Sequence, residues 1–332
     1  MNILRRSSVP AVPAAFFAMV LGLAGLAYCW RAVHRIWGYP EIVGESLMFL
    51  AAMVWAVLML LYAAKWIVKR DAAVKELGDP IQCCYIGLVG VTTLLIAGGV
   101  LPYSRLAAQV LLALGAGFTF VFAVWRTGGL WQGGRDPGTT TAVLYLPLGA
   151  GSFVTASLLG VMGYADWGQL VFGAGLFSWL AIESVLLHRL LTAQPLPLAL
   201  RPTMGIQLAP PTVGALAYMN VTHGAPDLLV HSMIGYGLLQ ALIAIRLWPW
   251  IRQQPFAPSY WAFSFGITAL ATDLLRLIER GDGGAAAFLA PYAFGIANVL
   301  IAALVVGTIR LALQHRLLPV PVAVPAAAPP IQ

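Results

Sequence analysis

Ten unbroken apolar runs, each about as long as a helix that crosses a bilayer, fill residues 13–312 of this chain. No other feature narrows its fold as far. A hydrocarbon core about 30 Å thick takes about 20 apolar residues per helical crossing. Runs drawn at 13–32, 44–66, 81–101, 106–125, 142–163, 167–189, 202–220, 228–248, 259–279 and 286–312 leave only short connections. Spanning strands would alternate lipid-facing and inward residues at a period of two. These runs are continuously apolar, so helices are the spanning element. At 60% hydrophobic and 9% charged, against about 25% charged in soluble domains, the chain is not a soluble globule.

The basic residues sort by side once the runs are marked. The N-terminal tail, alternate loops and the C-terminal tail hold 14 of the 19 Lys and Arg, among them Arg5, Arg6, Lys65, Lys69, Arg126, Arg135, Arg189 and Arg310. Only Arg31, Arg35, Arg105, Arg276 and Arg280 fall on the other side. Short cytoplasmic loops retain Lys and Arg, so the split predicts ten spans in an inner (plasma) membrane, with both termini cytoplasmic. The net charge of +7 then reflects topology, and nucleic acid is not an expected partner. Three cysteines, Cys29, Cys83 and Cys84, lie within apolar runs and give neither a disulfide framework nor metal-ligand spacing. Arg5 and Arg6 before the first run resemble a signal peptide, but Tyr28 stands where cleavage wants a small residue, so the first helix is read as uncleaved.

Short outward links such as Pro102–Arg105 and Tyr164–Asp166 force neighbouring helices to be antiparallel. The chain therefore divides into a tail at 1–12, a membrane domain at 13–316 and a Pro/Ala-rich tail at 317–332, expected to be disordered. The spans are unequal. Odd ones collect Gly, Pro and hydroxyl residues: Gly90 and Thr93; Pro147, Ser152 and Thr155; Gly205, Pro210 and Pro211; Ser264, Gly266 and Thr268. Broken backbone at membrane depth survives only inside protein or beside a water-filled cavity, which puts odd helices inside and even helices outside. Small residues also mediate tight packing between membrane helices, and composition leaves the two readings open.

No HExxH, GxSxG, phosphate-binding loop or paired-cysteine motif occurs, which points away from an enzyme and from a metal or organic cofactor. Intramembrane ionisable groups are the default functional candidates, and few exist. Asp273 and Arg276, three apart, read as a local ion pair near the outer surface. Glu183 reads as a hydrogen-bonded structural group, and His231 lies near the start of the eighth span. A coupled carrier usually carries several midplane carboxylates; their scarcity favours a passive pathway.

Several segments together resemble the TehA tellurite-resistance proteins, which belong with the slow anion channels of plant guard cells and with C4-dicarboxylate or malate carriers. The matching residues are Leu130-Trp131-Gln132-Gly133-Gly134, Tyr145-Leu146-Pro147, Phe172-Gly173-Ala174-Gly175 with Trp179 and Glu183, Arg201-Pro202-Thr203-Met204-Gly205-Ile206, Gly235-Tyr236-Gly237, and Trp261-Ala262-Phe263-Ser264-Phe265-Gly266. The resemblance runs in order from about Pro13 to Thr308.

It implies five helical hairpins around a pseudo-fivefold axis, odd helices lining a central pore, and three protomers with one pore each. It also implies a pore closed by one phenylalanine, here Phe265. Pore-lining candidates are Gly22, Gly90, Thr93, Pro147, Ser152, Gly205, Pro210 and Gly266. The implied function is passive conduction of small monovalent anions (chloride, nitrate) across the lipid bilayer; the alternative is a C4-dicarboxylate/malate or tellurite-related secondary transporter. Departures include Gly90 and Val20 where some relatives have proline, Ser152 for asparagine, and Ser184 for proline. With no fixed Lys or Arg at the midplane, permeation would be governed by dehydration cost and by the weak field of hydroxyls and helix ends.

Overall fold

A computed structural model describes residues 10–318. Eleven helices follow in order: α1 Ala14–Trp37, α2 Glu41–Val68, α3 Arg70–Gly78, α4 Gln82–Val100, α5 Arg105–Trp131, α6 Ala142–Val161, α7 Ala165–Thr192, α8 over 198–221, α9 Leu228–Ile251, α10 Pro258–Glu279 and α11 Ala285–Leu313. Nine of the described helices are long and apolar enough to cross a membrane. The exceptions are the short α3 and α8, whose first half is a 3-10 stretch, Leu198–Leu208. The expectations for residues 1–9 and 319–332, including the basic pair Arg5 and Arg6, lie outside the described residues.

Local chemistry sets the ends. Gly38 closes α1 at φ 69°, a left-handed position that glycine adopts without strain. The Ser104 hydroxyl accepts the Ala107 N–H at the start of α5, and Asp227 accepts those of Leu229 and Val230 at the start of α9.

Burial separates the helices into two sets. In α1, α4, α6 and α10 between 78% and 89% of the apolar window is buried; in α2, α5, α7, α9 and α11 only 17% to 28% is. Each inner helix packs on the outer helix that follows it: α1 on α2, α4 on α5, α6 on α7, α8 on α9, α10 on α11. The inner helices also pack on one another in a closed circuit, α1 to α4 to α6 to α8 to α10 and back to α1. A helix apolar on every side is buried or faces lipid, and here the two sets divide those roles.

All five inner helices begin with backbone that is not α-helical. Ala14–Phe16, Gln82–Gly87, Ala142–Leu144, Leu198–Leu208 and Pro258–Phe263 are 3-10 turns, and Leu146–Ala150 is a π turn around Pro147. Pro147, Pro202 and Pro258 each lack the N–H a regular helix would use. These turns also touch in a circuit, from Ala14–Phe16 through Gln82–Gly87, Leu146–Ala150 with Ala142–Leu144, Leu198–Leu208 and Pro258–Phe263 back to the first. The irregular backbone is thus enclosed by protein, as membrane depth requires.

The connection left between the runs drawn at 44–66 and 81–101 holds the helix α3. A buried cluster ties it down. Glu76 Oε2 accepts from Lys65 Nζ at 2.7 Å and from the Tyr62 hydroxyl at 3.0 Å. Glu76 Oε1 accepts the first backbone N–H of α1, that of Ala14, at 2.8 Å, and Lys65 also donates to Val12 O at 3.2 Å. The side chains of this pair are only 4% and 8% exposed.

Candidate functional site

A cavity of about 340 Å³ lies on the axis of the inner ring, and every inner helix contributes to its wall. Apart from the adjacent pairs Leu94–Leu95 and Ser157–Leu158, the contributions fall at spacings of three and four: Gly25, Tyr28, Arg31 and Arg35 from α1; Leu94, Leu95, Gly98 and Pro102 from the α4 side; Val154, Ser157, Leu158 and Val161 from α6; Val213, Leu216 and Asn220 from α8; Phe265, Ala269, Thr272 and Arg276 from α10. Residues so spaced share one face of a helix. Five parallel stripes therefore face one axis. Because inner helices all run the same way, the first residue of each stripe belongs to the floor and the last to the rim.

The floor is Gly25, Leu94, Val154, Val213 and Phe265. Phe265 is the one aromatic among them and is 9% exposed. Its ring lies beside Gly25, with Cδ2 3.4 Å from where a Cβ at Gly25 would stand. One turn on, Thr268 donates to Ser264 O at 3.0 Å and to Phe265 O at 3.1 Å. Phe265 is the second residue of the regular part of α10 (Ser264–Glu279), so the circuit of irregular turns lies directly behind the floor.

The rim is charged. Arg31 forms a two-point pair with Glu45, Nε to Oε1 and Nη2 to Oε2, each 2.7 Å. Arg35 Nε reaches Glu279 Oε1 at 2.6 Å, and Arg276 Nη1 reaches Glu279 Oε2 at 2.6 Å. Arg276 Nη2 donates to Asn220 Oδ1 at 2.9 Å, and Asn220 Nδ2 donates to Ser157 Oγ at 2.7 Å. This chain of bonds joins α10, α8 and α6 at the mouth. Just outside, Arg280 donates to the carbonyls of Met219 and Thr222, and desolvation moves its pKa below the ordinary guanidinium value.

Phe265 alone of the expected site residues borders the cavity. The other eight sit where helices meet. A Cβ on Gly22 would stand 2.6 Å from Ser264 Cβ on α10, and one on Gly90 would stand 2.2 Å from Thr119 Oγ1 on α5. Thr93 Oγ1 donates to Val89 O and accepts from Trp55 Nε1 of α2. Pro147 lies against Gly87, Ser152 against Gly175, Gly205 against the Phe263 ring, and Gly266 against Leu208 and Ala209. Pro210 is buried in the first turn of regular helix in α8. The expected Asp273–Arg276 pair does not form. Arg276 turns to Glu279 and Asn220, while Asp273 is wholly buried with both carboxylate oxygens unpartnered among the described residues. Residue 276 faces the axis with 265, 269 and 272; residue 273 points elsewhere on the same helix.

Glu183 is buried and hydrogen-bonded. Its carboxylate accepts from the Tyr145 hydroxyl, from Trp179 Nε1 at 3.1 Å and from the Tyr236 hydroxyl at 2.5 Å, linking α6, α7 and α9. His231 Nε2 lies 2.5 Å from Asp282 Oδ2 at the surface.

A ring of five apolar helices, each followed by a lipid-ready partner and enclosing one arginine-rimmed cavity, is the architecture on which comparison with known proteins bears. The family model described as voltage-dependent anion channel matches residues 11–309. The chain belongs to this family. It is 34% identical over 299 residues to a tellurite resistance protein TehA homolog of Haemophilus influenzae, covering 90% of each chain. It is 25% identical over 311 residues to the S-type anion channel SLAH3 of Arabidopsis thaliana, covering 90% of this chain and 48% of that one. An uncharacterized transporter of Methanocaldococcus jannaschii, MJ0576, is 24% identical over 283 residues, covering 76% and 80%. The family and these relatives support anion transport by a multi-pass membrane protein.

Sequence reasoning missed the rim. Arg31, Arg35 and Arg276 were among the five basic residues on the minority side of the charge split, and their spacing from Gly25, Tyr28, Phe265 and Thr272 carried the signal. Gly25, Tyr28, Arg31 and Arg35 already describe one face of a helix.

Proposed function

We propose that the chain is a passive channel of the inner membrane for small monovalent anions such as chloride and nitrate, entered from outside through the axial cavity and plugged by Phe265. The observation that carries this reading is the floor. Four inner helices contribute Gly, Leu or Val there, and the fifth contributes a phenyl ring packed beside the glycine. An apolar constriction of this kind excludes a hydrated ion by dewetting, so the ring must swing aside before an anion passes. The basic residues at the opposite end support a cytoplasmic location for both termini, which leaves the cavity facing outward. A homotrimer with one pore per protomer is the assembly expected from the family resemblance; the broad apolar surface of α2, α5, α7, α9 and α11 leaves room for both lipid and partner contacts.

Among the described residues that line the cavity there is no carboxylate to carry a coupling proton at the floor. Transport should therefore follow the anion gradient alone. The test is reconstitution in liposomes with a chloride-flux readout. Flux that rises linearly with chloride and ignores an imposed pH gradient supports the channel; saturable flux that follows the proton gradient supports a carrier.

A further inference from the structure

The two carboxylates of the rim are not equivalent. Glu45 neutralises one guanidinium, Arg31, in a two-point pair. Glu279 is divided between two, Arg35 on Oε1 and Arg276 on Oε2, each at 2.6 Å. Its carboxylate therefore occupies the place between two guanidiniums that an arriving anion would take. The Arg35–Glu279–Arg276 group keeps one net positive charge. Side-chain exposures of 46%, 27% and 26% for Arg35, Glu279 and Arg276 leave it open to the cavity mouth while Arg276 stays fixed by Asn220. The other nearby cations are turned away, Arg280 to backbone carbonyls and Arg105 to Met162 O at 3.0 Å.

We infer that Glu279 is a tethered counter-anion that sets the valence of what the outer vestibule holds. With the carboxylate in place, one net positive charge is left to attract an anion, and a monovalent ion satisfies it. Without it, two guanidiniums face the same space, and their planar donors can hold a tetrahedral dianion such as sulfate from both sides. The inference deepens the channel reading, since it takes the vestibule to be the outer end of the anion path, but its binding arm does not require conduction. Removing one negative charge about 5 Å from a dianion, even at water-like dielectric, predicts binding tighter by about tenfold or more.

The experiment compares wild type, Glu279→Gln and Glu279→Asp. Sulfate binding to purified protein is read by thermal stabilisation, since a ligand bound only to the folded state raises the midpoint, and external sulfate is titrated against chloride flux in liposomes. Glu279→Gln should bind sulfate about tenfold more tightly than wild type and have its chloride flux inhibited at correspondingly lower sulfate, while Glu279→Asp stays near wild type. Adding Arg276→Gln to Glu279→Gln should abolish the gain. Equal sulfate affinity in wild type and Glu279→Gln overturns the inference, as does a gain that survives in the double variant. Should Glu279→Gln not fold, Arg35→Gln, which leaves Glu279 and Arg276 balanced, must weaken sulfate binding below wild type; unchanged binding there overturns it equally. Absence of chloride flux in every protein would defeat the channel reading and leave the binding comparison standing.

Discussion

The Lys65–Glu76 pair gives the sharpest prediction about what holds the inner ring in place. Both groups are nearly buried, and their 2.7 Å contact is supplemented by the Tyr62 hydroxyl and the Ala14 N–H on the carboxylate and by Val12 O on the ammonium. Breaking such a pair from one side leaves an uncompensated buried charge and costs about 3–5 kcal/mol, whereas replacing both partners with uncharged groups of similar size is often close to neutral. Lys65→Met should therefore destabilise the protein by about 3 kcal/mol, toward the low end because Tyr62 and Ala14 still serve Glu76. Glu76→Gln should cost about 4 kcal/mol, since Lys65 keeps only one carbonyl. The double variant should cost less than either single change. The assay is thermal unfolding of purified protein for all four members of the cycle, where coupling appears as non-additivity. Additive losses, with the double variant the least stable, would refute the claim that the two charges compensate each other. Because Glu76 also holds the first N–H of α1, the single variants should loosen the start of that inner helix, and proteolysis near residues 10–14 would report it.

Other positions separate packing from polarity. Gly160→Ala should prevent correct folding, because the new methyl would lie 2.1 Å from the Asn220 carbonyl oxygen on α8 and backbone cannot rotate away; normal yield and melting would contradict this seam between α6 and α8. Asp273→Asn should leave thermal stability within about 1 kcal/mol of wild type or above it, since the carboxylate satisfies no partner among the described residues. A loss of several kcal/mol there would mean that Asp273 holds a bond essential to the fold.

Much of the architecture was legible because membrane helices announce themselves in one dimension. Pro147, Pro210 and the glycines pointed to enclosed odd helices, but they fitted tight helix packing equally well, and the division into inner and outer helices was what the family resemblance implied. Which face of each inner helix meets the axis was harder. Gly22, Gly90, Gly205 and Gly266 were expected at the pore, yet each lies where a neighbouring helix comes within 3 Å of its missing Cβ. Small residues serve close approach and open lumen alike, and a sequence does not say which neighbour stands opposite. The pair assumed for Asp273 and Arg276 failed for a related reason: spacing of three permits contact but does not direct a side chain, and Arg276 found Glu279 and Asn220 instead. The helix α3 was hidden because its anchor is a contact between Glu76 and groups from two other helices, Ala14 of α1 and Tyr62 and Lys65 of α2.

The central claim is that the Phe265 ring is the barrier on the ring axis. The direct measurement is single-protein or macroscopic chloride current from reconstituted wild type, Phe265→Leu and Phe265→Ala at matched protein density. Truncating the ring removes the one aromatic side chain among the floor residues. Since each 1.4 kcal/mol removed from a barrier is worth tenfold in rate, the account predicts at least about a tenfold rise in current for Phe265→Ala, with Phe265→Leu between it and wild type. Currents unchanged across the three, with the protein folded and inserted, would contradict it.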